Sequence, residues 1–321
     1  AKGAAAVVYE KESAPHITSG SSGSPVIAIE GLKSRIGHIA SRFYGSPSSR
    51  MEVVGVTGTN GKTTTAWLIA QALTRLGNNC GYSGTIGTGR VEGLRKAELT
   101  TADAIAIQEQ MHEFQQSGMD AVCMEVSSHG LDQGRVNGVD FDVGVFTNLS
   151  QDHLDYHHDM EQYGRAKRRL FEFETLQCAV VNTDDGFGKE LARKLQESHH
   201  NLRCIRYGMT SAELMPFDLE VNSRGIRFNL FHRDMTLEVK SGLIGEFNTW
   251  NLLAVAGVLL GLGHDPESVA GVFPLLTPPP GRMEIFRSHS GGPSVVVDYA
   301  HTPDALERAL HSMRKLCPGN L

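Results

Sequence analysis

The sequence predicts an α/β protein built on a mostly parallel sheet flanked by helices, and three observations carry that prediction. Short apolar or β-branched runs recur at residues 51–57, 120–126, 143–148 and 178–182, separated by helical or loop stretches, the rhythm of parallel strands joined by crossovers. The first of these runs ends in a glycine-rich loop that opens directly into a helical pattern over 62–76. Finally, 321 residues exceed the roughly 150 of a single domain, so the sheet is expected to have neighbours.

Taken in order, residues 4–9 read as a short apolar strand after a small-residue turn. A Ser/Gly/Pro-rich loop over 13–25 and a second apolar run over 26–29 follow. With helix signal at 32–44 and the linker Gly45-Ser46-Pro47-Ser48-Ser49, this segment reads as the tail of a first domain, residues 1–48. A central domain is expected over 49–278. Its parallel strands give way, from 203 to 245, to alternating short strands (225–231 and 235–239), expected to extend the sheet in antiparallel fashion, and then to a helix over 248–262. The run Pro278-Pro279-Pro280-Gly281 suits neither helix nor strand and reads as a stiff hinge. Beyond it, a strand over 294–298 and a helix from 303 to about 316 make the first βα unit of a third domain, 279–321. The chain starts at Ala1 and stops at Leu321 just after a helix-like stretch, so a piece of a longer protein is expected.

Composition narrows the function. With 40% hydrophobic and 21% charged residues the chain can bury a core and is not disordered. Thirty basic residues against 36 acidic leave a net charge of −6 and no basic stripe, so nucleic acid is not an expected partner. Five cysteines, scattered and without Cys-x-x-Cys spacing, indicate neither a disulfide framework nor a zinc site, and fit a reducing cytoplasm. The most apolar stretch, 252–262, is far short of the roughly 20 residues a spanning helix needs, so no membrane association is expected.

The loop Gly58-Thr59-Asn60-Gly61-Lys62-Thr63-Thr64-Thr65 carries the chemistry. Between a strand and a helix, its backbone N–H groups and the helix N-terminus cradle phosphates, Lys62 supplies charge at the transferring phosphate, and Thr63 offers a hydroxyl to Mg²⁺. The match departs from strict G-x-x-x-x-G-K-[ST], since Val56 stands five before Gly61 and Gly55 is one residue too early. The bland alternative is a glycine-rich loop with a surface lysine.

These residues resemble the nucleotide loop of the Mur ligase family, the ATP-dependent amide-forming enzymes of peptidoglycan precursor synthesis. The resemblance is carried further by Thr100-Thr101-Ala102-Asp103, by the stretch from Met124-Glu125-Val126-Ser127 to Gln133-Gly134-Arg135, and by the stretch from Phe146-Thr147-Asn148 to Asp152-His153-Leu154-Asp155. It continues through Gly245-Glu246-Phe247-Asn248-Thr249-Trp250-Asn251, Gly281-Arg282-Met283-Glu284 and Asp298-Tyr299-Ala300-His301. In this order the motifs resemble the member that adds the third amino acid to UDP-MurNAc-L-Ala-D-Glu. The family has three domains, so the resemblance implies a remnant of the UDP-binding first domain, the ATP-binding central domain, and the start of a Rossmann-like third. It also implies ATP and Mg²⁺ as cofactors, UDP-MurNAc-L-Ala-D-Glu and meso-diaminopimelate (or L-lysine) as substrates, and a monomer.

Residue by residue, the resemblance assigns Gly58, Thr59, Asn60, Gly61, Lys62, Thr63 and Thr64 to ATP phosphates, Asn248 and Asn251 to the adenine side, Arg282 to phosphate after closure, and Asp298, with His301 beside it, to ribose. N-capping is the alternative for Asn248. Glu125 shares Mg²⁺ with Thr63; it closes the strand 120–126, where carboxyl ends of parallel strands gather ligands, and a buried salt-bridged glutamate is the alternative. His153 becomes ligand to a second Mg²⁺, although imidazole suits so hard an ion poorly. Lys167 as an ammonium would repel a metal; in the family the matching lysine is N-carboxylated, while Arg165, Arg168 and Arg169 offer a basic solvated helix face instead. Thr100, Thr101, Ser127, Gln133 and Arg135 match positions holding the muramoyl dipeptide; Leu99 stands where some relatives have Asn. The implied reaction is phosphorylation of the glutamate γ-carboxylate, then displacement of phosphate by the incoming amine. Residues that choose the amino acid are expected in the third domain, beyond this chain. A non-catalytic ATP-binding scaffold and a simple phosphotransferase are the competing readings.

Overall fold

The computed structural model describes residues 5–12, 25–198, 201–232, 234–287, 293–301 and 303–317. The predicted loop over 13–25 lies, apart from Pro25, outside the described residues. Strands β1 (Val7–Glu10) and β2 (Val26–Ile29) pair in parallel, and Glu10 ties them to helix α1 (Leu32–Phe43) by accepting from the Gly31 and Lys33 amides. A 3-10 turn, Pro47–Arg50, leads into the central sheet.

That sheet begins with β3 (Glu52–Thr57), whose successive valines face opposite layers, Val53 into one core and Val54 into the other. Helix α2 (Lys62–Arg75) follows, buried from Thr63 to Leu73 on every side, as a helix must be when other elements cover all its faces. Strands β4 (Cys80–Gly84) and β5 (Gly87–Gly89), helix α3 (Ala104–Gln116), β6 (Ala121–Glu125), the short α4 (Ser128–Asp132) and β7 (Val143–Phe146) come next. After them stand α5 (Leu154–His157), α6 (Met160–Arg168), β8 (Cys178–Asn182), α7 (Gly186–Ser198) and β9 (Arg203–Tyr207). The strand order is β5-β4-β6-β3-β7-β8-β9, parallel throughout except for β5.

One expectation is corrected here. The strands after β9, namely β10 (Pro216–Asn222), β11 (Gly225–His232) and β12 (Met235–Ser241), do not extend the main sheet. They form a separate three-stranded antiparallel sheet, while β9 joins the main sheet as its last parallel strand. The separate sheet buries Phe228, Leu230, Leu237 and Val239 in the core shared with α8 (Asn248–Gly261) and α9 (Pro266–Val272). Helix α8 is as completely buried as α2, and the two pack together over one face of the main sheet. After the proline run, β13 (Glu284–Phe286) and β14 (Val295–Val297) pair antiparallel, so the strand at 294–298 has a partner the pattern did not indicate, and α10 (Pro303–Leu316) closes the chain. This last unit rests on Ile244 through Met283 and Ala309, with Lys315 paired to Glu246 at 2.5 Å.

Candidate active site

Strand β3 has β6 on one side and β7 on the other, and the chain runs outward from it in both directions, so loops part at its carboxyl end. The phosphate loop fills that crevice. Gly61, at φ 85°, occupies the cap position of α2 with no side chain over the helix N-terminus. Gly58 lies so close to β7 that a Cβ there would stand 1.9 Å from Thr147 Oγ1. The loop is further tied down by bonds from the Asn60 amide to Asn148 Oδ1 (2.9 Å) and from Thr147 Oγ1 to the Asn60 carbonyl (2.6 Å), and by Thr59, which bonds Ser150 and Tyr163. Fixed amides around an open helix end are what an anionic group requires.

Two lysine amino groups converge on one acceptor. Lys62 Nζ donates to the Gly58 and Thr59 carbonyls at 2.9 and 2.8 Å, and Lys167 Nζ, reaching in from α6, donates to the same Gly58 oxygen at 2.7 Å. Lys167 is 1% exposed and sits 4.3 Å over the Tyr163 ring. Burial and the Lys62 charge hold its pKa well below the usual lysine range, against the pull of Asp152. Lys62 is lowered too, by burial first, with Glu125 and Asp152 opposing and Arg282 adding to it. The basic solvated face read as the alternative for Lys167 belongs instead to Arg165 and Arg168, each in an i,i+4 pair with a glutamate.

Glu125 ends β6 and is 1% exposed, yet its carboxylate is fully served. Oε1 accepts from the Tyr82 hydroxyl (2.5 Å) and the Thr85 amide (2.8 Å), and Oε2 from the hydroxyls of Thr63 (2.9 Å) and Thr85 (3.2 Å). Such donors offset the cost of burying a charge. Tyr82 and Thr85 were not indicated by the sequence reading, and an aromatic in an apolar strand carries no local signal of such a task. The Thr63 and Glu125 oxygens stand at the spacing of neighbouring corners in a Mg²⁺ octahedron, about 3 Å, and both are the hard oxygen donors that ion takes, so these residues fit it. His153, at φ 52°, has Nε2 3.4 Å from Asp152 Oδ2 and its ring 4.9 Å from that of His129. Burial lowers the pKa of His129 and of His157, whose Nε2 is bonded to Ser128.

The cleft has two lobes meeting at Asn60, Gly61 and Thr64. One, of about 230 Å³, brings together Lys62, Thr63, Glu125, His153, Lys167, Thr100 and Ser127. The other, of about 340 Å³, is bounded by Asn251, Trp250, Phe247 and Asp184 and, opposite them, by Asp298 and Ala309. Arg282, Tyr299 and His301 border both lobes. Asp298 already accepts from the Met283 and Ala300 amides, both at 2.9 Å.

Several expected contacts are turned elsewhere. Asn248 is 2% exposed and does not cap α8, whose cap position is Phe247; its amide donates to the Ile244 carbonyl at 2.7 Å. It accepts in turn from Asn251 Nδ2 at 2.7 Å, and Asn251 Oδ1 takes the Thr65 hydroxyl at 3.1 Å. Thr101, 2% exposed, bridges the Glu125 carbonyl and the Ser127 amide, and Ser127 Oγ caps α4. Arg135 bonds the Thr101 carbonyl and Gln133, and Gln133 lines a separate broad cleft beside α1. Thr100 keeps a hydroxyl at the cavity wall, 3.0 Å from that of Thr85.

Comparison with known proteins follows the same lines. Residues 56–259 match the Mur ligase middle domain, and residues 281–321 match the Mur ligase glutamate ligase domain. The chain is 46% identical to the UDP-N-acetylmuramoyl-L-alanyl-D-glutamate--2,6-diaminopimelate ligase of Ectopseudomonas mendocina, covering 100% of this chain and 65% of that protein. It is 48% identical to the same-named ligase of Pseudomonas aeruginosa, covering 98% and 63%. The chain thus spans slightly under two thirds of these relatives. A solved structure of a ligase of that name superposes with a TM-score of 0.84 at 34% identity, covering 97% of this chain and 62% of the other. The fold also matches a Mycobacterium tuberculosis folylpolyglutamate synthase, TM-score 0.71 at 19% identity, covering 88% and 70%.

Proposed function

The chain belongs to the Mur ligase family, and from that premise we propose that it is the nucleotide- and metal-holding part of an ATP-dependent ligase. The ligase joins meso-diaminopimelate to the D-glutamate γ-carboxylate of UDP-MurNAc-L-Ala-D-Glu, in the cytoplasm and as a monomer. The observation that carries this reading is the 230 Å³ lobe, where a phosphate-loop lysine, a Thr63–Glu125 oxygen pair and a second buried lysine face one space. The choice of diaminopimelate is supported by the names of the relatives at 46–48% identity. Five free thiols agree with a reducing compartment. Among the described residues, no helix is long and apolar enough to cross a membrane.

In this reading the loop amides from Gly58 to Thr64 hold the ATP phosphates, and Lys62 leaves its carbonyl partners to neutralise charge on the γ-phosphoryl group. Thr63 and Glu125 hold Mg²⁺, which shields the phosphate oxygens when bound. The γ-phosphoryl passes to the substrate carboxylate, giving an acyl phosphate and ADP. The amine of the incoming amino acid then attacks the acyl carbon, phosphate leaves, and the amine proton goes to solvent or phosphate. Thr100 and Ser127 face that space, while Thr101, Gln133 and Arg135 brace it through the bonds already described. Asn251, Asp298 and His301 border the nucleoside, and Asn248 acts through Asn251.

The depressed pKa of Lys167 leaves its amine free to attack CO₂; a C–N bond forms, one proton is lost, and the carbamate, with His153 on the wall of the same lobe, would be available as a ligand for a second Mg²⁺. The test is phosphate release by the whole protein with ATP, Mg²⁺ and UDP-MurNAc-L-Ala-D-Glu, comparing meso-diaminopimelate, L-lysine and no amino acid. Release that requires meso-diaminopimelate is expected. Dependence on L-lysine would change the amino acid, and release indifferent to both would leave a phosphotransferase or an ATP-binding scaffold.

A further inference from the structure

Arg282 shares a cleft with Lys62, and its charge is one of the influences that depress the Lys62 pKa. Among the described residues its guanidinium makes no hydrogen bond or ion pair. It lies instead over the face of the Tyr299 ring, 4.4 Å from the centroid. The backbone explains why these two residues meet. The Met283 amide donates to Asp298 Oδ2 at 2.9 Å, pinning the turn before β13 to the residue after β14, and the next residue outward on each side is Arg282 and Tyr299. The turn itself is braced by the Gly281 amide on Glu284 Oε2 (2.8 Å), with Met283 at φ 47°. His301 closes the other side, its ring 4.8 Å from that of Tyr299 and its Nδ1 on the Tyr299 carbonyl at 2.9 Å.

We propose that Tyr299 is a positioning residue that holds the Arg282 guanidinium at the junction of the two lobes through its ring face, so that Arg282 is in place to meet an incoming triphosphate. The negative ring face offsets repulsion from Lys62 without neutralising Arg282, as a carboxylate partner would. That distinction matters for phosphate binding, because a guanidinium already forked onto a carboxylate has fewer donors to give. Tyr299 is 55% exposed, so exchanging it does not open the core. The inference rests on the nucleotide reading above, and its test is arranged to fail separately.

The first measurement needs no nucleotide. In the full chain, the Arg282 Nε–H proton resonance is expected upfield of an exposed arginine through the ring current of Tyr299, unchanged in Tyr299→Phe and returned to the ordinary position in Tyr299→Leu. An ordinary position in the parent overturns the proposal whatever the chain binds. The second is titration with a fluorescent ATP analogue. Tyr299→Leu is expected to weaken binding about tenfold, the size of a partly desolvated cation–π contact, while Tyr299→Phe retains the parent's affinity. In an Arg282→Ala background, Tyr299→Leu is expected to add nothing. Equal losses in Phe and Leu, or additive losses in the double variant, would assign Tyr299 a direct contact and overturn the positioning role. Absence of nucleotide binding by the parent would strike the nucleotide reading, with the resonance still deciding the ring contact.

Discussion

The two sides of the cleft are built in opposite ways. On the phosphate side, Glu125 is served by four donors, Lys167 is 1% exposed, and the loop is fastened to β7 by several hydrogen bonds. On the far side of the nucleoside lobe, Arg282, Asp298, Tyr299 and His301 come from a small unit that, among the described residues, packs on Ile244 through Met283 and Ala309 and pairs Lys315 with Glu246. The difference teaches where rigidity is needed. In the proposed reading, charge that must be in place when a phosphoryl group moves is set in a fixed frame, because donors that need no rearrangement stabilise a transition state most. The other wall, in the same proposed reading, admits and releases a nucleotide, and it is held by a smaller contact.

The sharpest test of that contrast is Lys62→Ala in the whole protein. Turnover is expected to fall about a hundred- to a thousandfold, the effect of deleting one preorganised charge, with little change in the thermal midpoint. A loss confined to KM for ATP would mean that Lys62 only binds, and the contrast would blur.

Lys167→Met tests the fixed side by its cost. At pH 6, in CO₂-free buffer, the variant is expected to be more stable than the parent by about 2 kcal/mol, since an apolar chain replaces a buried amino group whose protonated form burial and Lys62 disfavour. The parent then gains as pH rises. Its native Lys167 sheds a proton at a lower pH than the unfolded chain does, so between those two pKa values the unfolded state binds more protons and stability climbs. The gap in urea midpoint should narrow toward pH 9, and a gap that does not change with pH would show that the lysine carries no such strain. Bicarbonate is expected to stabilise the parent and leave the variant unmoved.

The smallest effect belongs to the side of the last unit. Lys315→Ala removes the pair with Glu246, whose members are 54% and 40% exposed, and is expected to cost less than about 1 kcal/mol. A larger loss by calorimetry would make the seat of the last unit firmer than the comparison allows.

Four strands of the main sheet, β3, β6, β7 and β8, and the phosphate loop are legible because their signals are local: a β-branched run, two glycines, a lysine and a helix pattern in fixed order; the short β4 and β5 carry no such run, and β9 reads as part of the antiparallel stretch. Partnership was not. Alternation over 225–231 and 235–239 marks strands with one buried face, but that face meets the core of α8 and α9 rather than prolonging the sheet, and no period in the sequence records which neighbour is chosen. The same limit applies to polar side chains. Thr100 and Thr101 are adjacent and alike, yet one hydroxyl reaches the cavity wall and the other bridges two backbone groups behind it. Tyr82 escaped notice for the converse reason, since its partner Glu125 lies 43 residues away on the neighbouring strand.

The asparagine pair on α8 has a reading direction. Ile244 offers a main-chain carbonyl, which can only accept, so Asn248 must turn its NH₂ group toward it and its oxygen toward Asn251. Asn251 must then spend its own NH₂ on that oxygen, leaving its carbonyl for the Thr65 hydroxyl beside the nucleoside lobe. Inverting either amide would set oxygen against oxygen somewhere along the string. A backbone atom seven residues away from Asn251 therefore decides which edge of that amide the lobe presents, much as the first word of a sentence fixes the grammar of the last.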